Sequence, residues 1–92
     1  MKIIYFGNGV RGVRCLKELI EMGCDVQAVV GHSKTSDVVS FAQEHSLPVF
    51  SPERVNDPGF CERIGGYCPD LFVLAGYNKI LKKELISIPR LG

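Results

Sequence analysis

The sequence has almost no excess of charge of either sign, since its formal net charge is +1 over 92 residues. This balance argues against partners with a strong electrostatic field, such as duplex DNA or an anionic membrane, and disfavours nucleic acid in general. No apolar run approaches the roughly 18 residues that a membrane span needs. The opening segment also lacks the apolar stretch of a signal peptide. We therefore expect a cytoplasmic protein with no membrane segment.

Metal-ligand spacing is also absent from the sequence. The cysteines form no C-x-x-C pair, and His32 and His45 are the histidines that could complete a ligand set. We therefore expect no zinc site. In a reducing compartment, the cysteines are expected to be free thiols that pack as small apolar side chains. They lie at Cys15, Cys24, Cys61 and Cys68.

Apolar residues, which make up 46% of the chain, alternate between strand-like and helix-like patterns. Short apolar runs predict strands at Lys2–Phe6, Val26–Val30, Pro48–Phe50 and Leu71–Ala75. Helical spacing predicts helices at Val10–Ile20 and Val38–His45, the second with Thr35 or Ser36 as its cap. A third helix is expected from the cap Asp57, with Pro58 in its first turn, to Tyr67, and a short turn of helix at Leu81–Ile86. Continuously apolar strands indicate a parallel sheet with helices on both faces. We expect a single α/β domain over residues 1–92, a doubly wound Rossmann-like half with strand order 3-2-1-4.

The loop after the first strand, Gly7–Gly12, fits the pattern G-x-G-x-x-G. Glycines at these positions let the backbone turn tightly and approach an anion at a helix N-terminus. Many α/β folds carry them for geometry alone, so ligand contact and a purely structural turn both remain open. If the loop binds substrate, the candidate residues are Gly7, Asn8 and Gly9, together with His32 from the second loop.

A dinucleotide cofactor would require an acidic residue at the tip of the second strand, to hold the adenosine ribose. The strand instead ends in Val30-Gly31-His32-Ser33, without a carboxylate. His32 and Lys34 are compatible with a phosphate, as in proteins that prefer NADP. A non-catalytic nucleotide-binding module of the NAD(P) type therefore remains an alternative.

The second half of the chain resembles the N-terminal domain of the 10-formyltetrahydrofolate-dependent formyltransferases. This family includes the methionyl-tRNA, glycinamide ribonucleotide and sugar-nucleotide formyltransferases. The resemblance extends over essentially the whole chain. It is carried by Pro48–Glu53, Pro69–Leu71, Ala75–Leu81 and Ile88–Gly92.

The resemblance implies that the loop after the fourth strand binds the pterin ring of 10-formyltetrahydrofolate, the co-substrate. Backbone groups near Lys79 and Leu81 would read the donor and acceptor edge of the pterin, and Ile80 and Leu81 would form apolar walls. Side-chain identity at Asn78 and Lys79 would then matter little. The folate-binding candidates are Gly76, Tyr77, Asn78, Lys79, Ile80 and Leu81. Without the resemblance, the same segment is an ordinary strand-to-helix loop.

The resemblance also implies where the chemistry lies. In the family, an Asn-x-His pair follows the position of Gly92, and a catalytic aspartate comes later. Neither His32 nor His45 occupies a matching position. We therefore assign no catalytic residue to this chain, and we expect the chain alone to be inactive although its parent is an enzyme.

The second loop, Gly31–Ser36, lacks the longer basic insertion of the tRNA enzyme, and the first loop lacks its G-T-P-E-F pattern. These departures favour formyl transfer to a sugar nucleotide or another small amine substrate. Methionyl-tRNA formyltransferase is the alternative. If no fifth strand pairs with Leu71–Ala75, its apolar edge is open, and we expect self-association through it.

Overall fold

The computed structural model describes residues 1–77 and 79–90 of the protein. Within these residues, four strands alternate with four helices. In chain order they are β1 Lys2–Gly7, α1 Gly9–Glu21, β2 Asp25–Gly31, α2 Asp37–Glu44, β3 Val49–Phe50, α3 Pro58–Gly65, β4 Leu71–Ala75 and α4 Lys83–Ile86. The alternation that the apolar pattern predicts is therefore confirmed.

The strands form one sheet in the order β3-β2-β1-β4, and each neighbouring pair is parallel. This confirms the predicted order, which follows from right-handed crossovers. Gly7 is in register with Gly31 of β2 and with Ala75 of β4. The first, second and fourth loops therefore leave the sheet at the same level, at its carboxyl edge.

Alternation along the strands divides the core between the two faces of the sheet. Ile4 and Phe6 lie in the apolar cluster on one face, whereas Tyr5 lies in the cluster on the other. The central strand β1 is buried from Ile3 to Gly7. The edge strand β4 is less covered, and its Leu74 side chain is 48% exposed. Leu71–Ala75 is thus apolar in sequence but not buried on both faces.

Capping residues set the starts of two helices. The Ser36 hydroxyl accepts a hydrogen bond from the Val39 amide at the start of α2, and the Asp57 carboxylate accepts one from the Gly59 amide at the start of α3. Both caps agree with the sequence prediction. Pro58 occupies the first turn of α3, where its missing N–H costs no helical hydrogen bond.

Two predicted helix boundaries were wrong. Helix α3 ends at Gly65, so Tyr67 lies beyond it, and Cys68 follows in a left-handed conformation with φ of 50°. Helix α4 begins at Lys83, two residues after the predicted Leu81. Leu81 and Lys82 instead belong to the loop that follows β4.

No helix in the described part of the chain is long and apolar enough to cross a membrane. Over the same residues, there is no group of three or more potential metal ligands. All four cysteines are free thiols. Cys68 is exposed, and the other three are only half-buried, which is less burial than the sequence suggests.

Candidate functional site

The candidate site lies at the carboxyl edge of the sheet, where α/β folds of this kind place their ligands. The predicted substrate contacts Asn8 and His32 directly follow the in-register residues Gly7 and Gly31. Gly76 follows Ala75 in the same way on the other side of β1. The structure therefore brings the first, second and fourth loops to one edge. His32 is exposed there.

The first loop is tied to the sheet on both sides. The Asn8 amide donates a hydrogen bond to the Ala75 carbonyl at 3.2 Å. The buried Tyr5 hydroxyl donates to the Gly12 carbonyl at 2.6 Å, and burial raises the pKa of Tyr5 above its usual range. The side chain of Asn8, the residue before α1, makes no capping hydrogen bond to the first turn of this helix.

Gly76 is the residue at which the backbone of the fourth loop comes close to the backbone of the first loop at Asn8. Its φ of +74° lies in the left-handed region, which residues with a Cβ adopt at a cost. A Cβ atom at this position would lie 2.6 Å from the Asn8 carbonyl oxygen. The close approach of the two backbones therefore requires glycine, which gives Gly76 a structural role beside any contact with folate.

Tyr77 points into the core rather than along the surface. Its ring packs edge-on against Phe6, with ring centroids 5.4 Å apart. Its hydroxyl is buried without a hydrogen-bond partner among the described residues, and burial raises the pKa of Tyr77 to about 12. Tyr77 therefore anchors the start of the fourth loop. The next predicted contact, Asn78, lies outside the described residues.

Lys79 connects two loops: the fourth loop, which follows β4, and the third loop, which follows β3. Its ammonium group donates hydrogen bonds to the Pro52 carbonyl at 2.7 Å and the Glu53 carbonyl at 3.3 Å. The sequence interpretation left this side chain without a role. The structure gives it one, because it connects the loop after β4 to the loop after β3.

Asn56, which sequence reasoning missed, makes a second connection between the same loops. Its side-chain amide donates to the Ile80 carbonyl at 2.8 Å, and its side-chain carbonyl accepts from the Lys82 amide at 2.6 Å. The contact joins positions 24 to 26 residues apart in sequence, so no local pattern could have revealed it.

A cleft of about 680 Å³ lies between these two loops. Asn56, Lys79 and Ile80 contribute to its walls. Ile80 is 82% exposed, whereas Leu81 packs against the apolar core. Of the two predicted apolar walls, only Ile80 therefore lies on this open surface.

A second cleft of about 570 Å³ lies beside the first, at the end of β3. Three cationic residues contribute to it: Lys34, Arg54 and Arg63. Glu53 and Asp57 also line it, yet no ion pair joins these charges within the part of the chain that the structure describes. The cations are thus available to an anion.

The two histidines do not meet at this edge of the sheet. His45 directly follows α2, where its ring lies against Phe41 and its Nδ1 is 3.2 Å from the Phe41 carbonyl. His45 therefore has a local contact with its own helix. We assign no catalytic residue to the described part of the chain.

Comparison with known proteins shows which proteins this chain is similar to in sequence. Methionyl-tRNA formyltransferase from Ruminiclostridium cellulolyticum is 37% identical over an alignment that covers 100% of this chain and 33% of the relative. The enzyme of the same name from Clostridioides difficile is 32% identical with the same coverage. The whole chain is thus similar in sequence to proteins named methionyl-tRNA formyltransferase. It spans about a third of the length of the curated relatives it matches. No family model matches it.

Solved formyltransferases share the fold. Phosphoribosylglycinamide formyltransferase from Bacillus halodurans superposes with a TM-score of 0.77 over 96% of this chain and 51% of its own, at 18% identity. Glycinamide ribonucleotide transformylase 1 from Symbiobacterium toebii gives 0.76 over 97% of this chain and 47% of its own, at 17% identity. The formyltransferase resemblance and the Rossmann-like fold that the sequence predicts are both confirmed.

Proposed function

We propose that this chain is the folate-binding part of a methionyl-tRNA formyltransferase. The observation that carries the proposal is the match of the whole chain, at 37% identity, to a protein of that name. The names of the relatives thus favour the alternative over the sugar-nucleotide or small-amine substrate that the short second loop suggested. The amine of the methionyl group would attack the formyl carbon of 10-formyltetrahydrofolate. The bond from that carbon to the folate nitrogen would then break, with one proton lost by the amine and one taken up by the folate nitrogen.

The cleft beside the fourth loop supports folate as the formyl donor. Its volume of about 680 Å³ lies in the range of pockets that take small ligands. The backbone groups of Lys79 and Leu81 make no hydrogen bond to another described residue, so they are available to a flat heterocycle with a donor and acceptor edge. Ile80 adds an exposed apolar surface beside them.

The second cleft supports a nucleic-acid acceptor. Its cations lie on three separate segments: Lys34 after β2, Arg54 after β3, and Arg63 on α3. A cluster of unpaired cations provides phosphate contacts even when the net charge of a protein is small. The low net charge therefore excludes less than the sequence interpretation assumed.

Isothermal titration with 5-formyltetrahydrofolate tests the donor assignment. Ile80→Asp places a charge on the cleft wall and is expected to weaken binding at least tenfold, whereas Met22→Asp, on an exposed apolar residue outside both clefts, is expected to leave it unchanged. If the protein binds NADP but not the folate at millimolar concentration, the folate assignment is wrong and the nucleotide-module alternative is favoured.

The salt dependence of binding to methionyl-tRNA tests the acceptor assignment. Lys34→Ala, Arg54→Ala and Arg63→Ala are each expected to reduce the slope of log K against log salt by about 1. Lys17→Ala is the control, because Lys17 is an exposed residue of α1 that lies outside both clefts. If all four variants keep the wild-type slope, the acceptor binds elsewhere.

A further inference from the structure

Asn56 holds the fourth loop in the manner of a neighbouring strand. On a parallel strand, one residue donates its N–H to the carbonyl of residue n−1 and accepts with its C=O from the amide of residue n+1. The carboxamide of Asn56 makes the same pair of bonds, to the Ile80 carbonyl and from the Lys82 amide, at 2.8 and 2.6 Å. Lys82, which then leads into α4, is extended, with φ of −85° and ψ of 170°.

This pairing determines which way the remaining backbone groups face. In a trans peptide group the N–H and the C=O point in opposite directions, and the described residues contain no cis peptide bond. The N–H and C=O of residue n therefore point away from a partner that binds the C=O of residue n−1 and the N–H of residue n+1. Leu81 is the residue between the two bonds. Its backbone N–H and C=O therefore point away from Asn56, and neither makes a hydrogen bond to another described residue.

Asn56 is itself held in place from both sides. Val55, which precedes it, is 3% exposed in the core. Asp57, which follows it, caps α3 through the Gly59 amide, and its own amide donates to the Arg54 carbonyl. A side chain that extends from such a fixed backbone is preorganised to impose its geometry on a partner.

We infer that Asn56 is a positioning residue for folate binding, which presents the backbone edge of Leu81 to the pterin. This inference rests on the proposed function. Without the two bonds, the loop would populate other conformations, and the apparent affinity would fall with the population of the competent one. We expect about a tenfold loss of folate affinity, since two exposed hydrogen bonds to a loop contribute modestly.

The test measures two properties of Asn56→Ala: the dissociation constant for 5-formyltetrahydrofolate and the hydrogen exchange rate of the Lys82 amide. Both are expected to rise. Asn56→Gln, which keeps the carboxamide on a longer side chain, is expected to recover part of the affinity. Gln27→Ala is the matched control, because it removes a carboxamide that hydrogen-bonds Asp25 and not the loop.

The outcomes separate the inference from the function it rests on. Faster exchange at Lys82 with unchanged folate affinity would show a purely structural contact and overturn the inference. Unchanged exchange would also overturn it, because Asn56 would not hold the loop. If the wild type binds no folate, the proposed function fails with the inference, while the exchange rates still report whether Asn56 restrains Lys82.

Discussion

Replacement of Gly76 by alanine tests whether the close approach between Gly76 and the Asn8 carbonyl stabilises the protein. The substitution has two costs. Alanine must adopt φ of +74°, which is disfavoured by about 1–2 kcal/mol for a residue with a Cβ. The new Cβ would also lie 2.6 Å from the Asn8 carbonyl oxygen. Because that atom belongs to the backbone, relief requires the two chain segments to move apart.

Movement of these segments weakens the hydrogen bond from the Asn8 amide to the Ala75 carbonyl, now 3.2 Å long. Loss of such a bond costs about 1 kcal/mol. We therefore expect Gly76→Ala to lower the free energy of unfolding by about 2–3 kcal/mol, the sum of the backbone strain and the lost hydrogen bond. Small domains are stable by only about 5–15 kcal/mol, so the substitution removes a substantial part of the total.

Urea denaturation followed by far-UV circular dichroism measures this loss, and two other glycines provide matched controls. Gly9 has a similar φ of +72°, but a Cβ there would meet nothing within 4 Å. Gly9→Ala should therefore show the backbone strain alone, about 1–2 kcal/mol. Gly65 lies in α3 with open space around it, and Gly65→Ala should stabilise the protein by up to about 1 kcal/mol. If Gly76→Ala costs no more than Gly9→Ala, the close approach to Asn8 does not constrain the loop.

Tyr77→Phe removes a buried hydroxyl without a partner and should raise the free energy of unfolding by about 1 kcal/mol. Because the pKa of Tyr77 rises from 10.0 to about 12 on folding, stability should fall between those pH values, and less steeply in this variant. Asp70 accepts hydrogen bonds from the Lys2 amide and from Arg90, which lower its pKa below 3.8. Stability should therefore fall as the pH drops below 3.8, whereas the melting temperature of Asp70→Asn should change less there. Leu74→Lys places a charge on the half-exposed edge strand β4, so it should prevent the self-association that we expect through this edge, as measured by sedimentation velocity. A wild type that is monomeric at high micromolar concentration would contradict the expected edge pairing.

The fold was predictable because most strands are recognisable from an apolar run in their own sequence. The runs at β1, β2 and β4 are long enough to identify, and the rule on crossover handedness then leaves few strand orders. The caps of α2 and α3 are equally local. Helix boundaries were less predictable, since the apolar spacing continues to Tyr67 although α3 ends at Gly65.

The site was predictable only as a set of loops. The resemblance pointed to the segment after β4, but it did not show that Tyr77 packs against Phe6 or that Leu81 turns towards the core. The contacts of Asn56 and Lys79 join positions 24 to 27 residues apart. Such contacts depend on the position of β3 and β4 in the folded sheet, which no short motif encodes.

The tethers from Asn56 and Lys79 also limit how the fourth loop can be engineered. A graft of residues 76–82 from a relative would bring a loop whose conformation depends on hydrogen bonds to the loop after β3 of that relative. Lys79 needs the carbonyls of Pro52 and Glu53, and the Ile80 carbonyl needs Asn56. A chimera is therefore expected to keep the loop shape only if both segments are transplanted together, as one unit that is discontinuous in sequence.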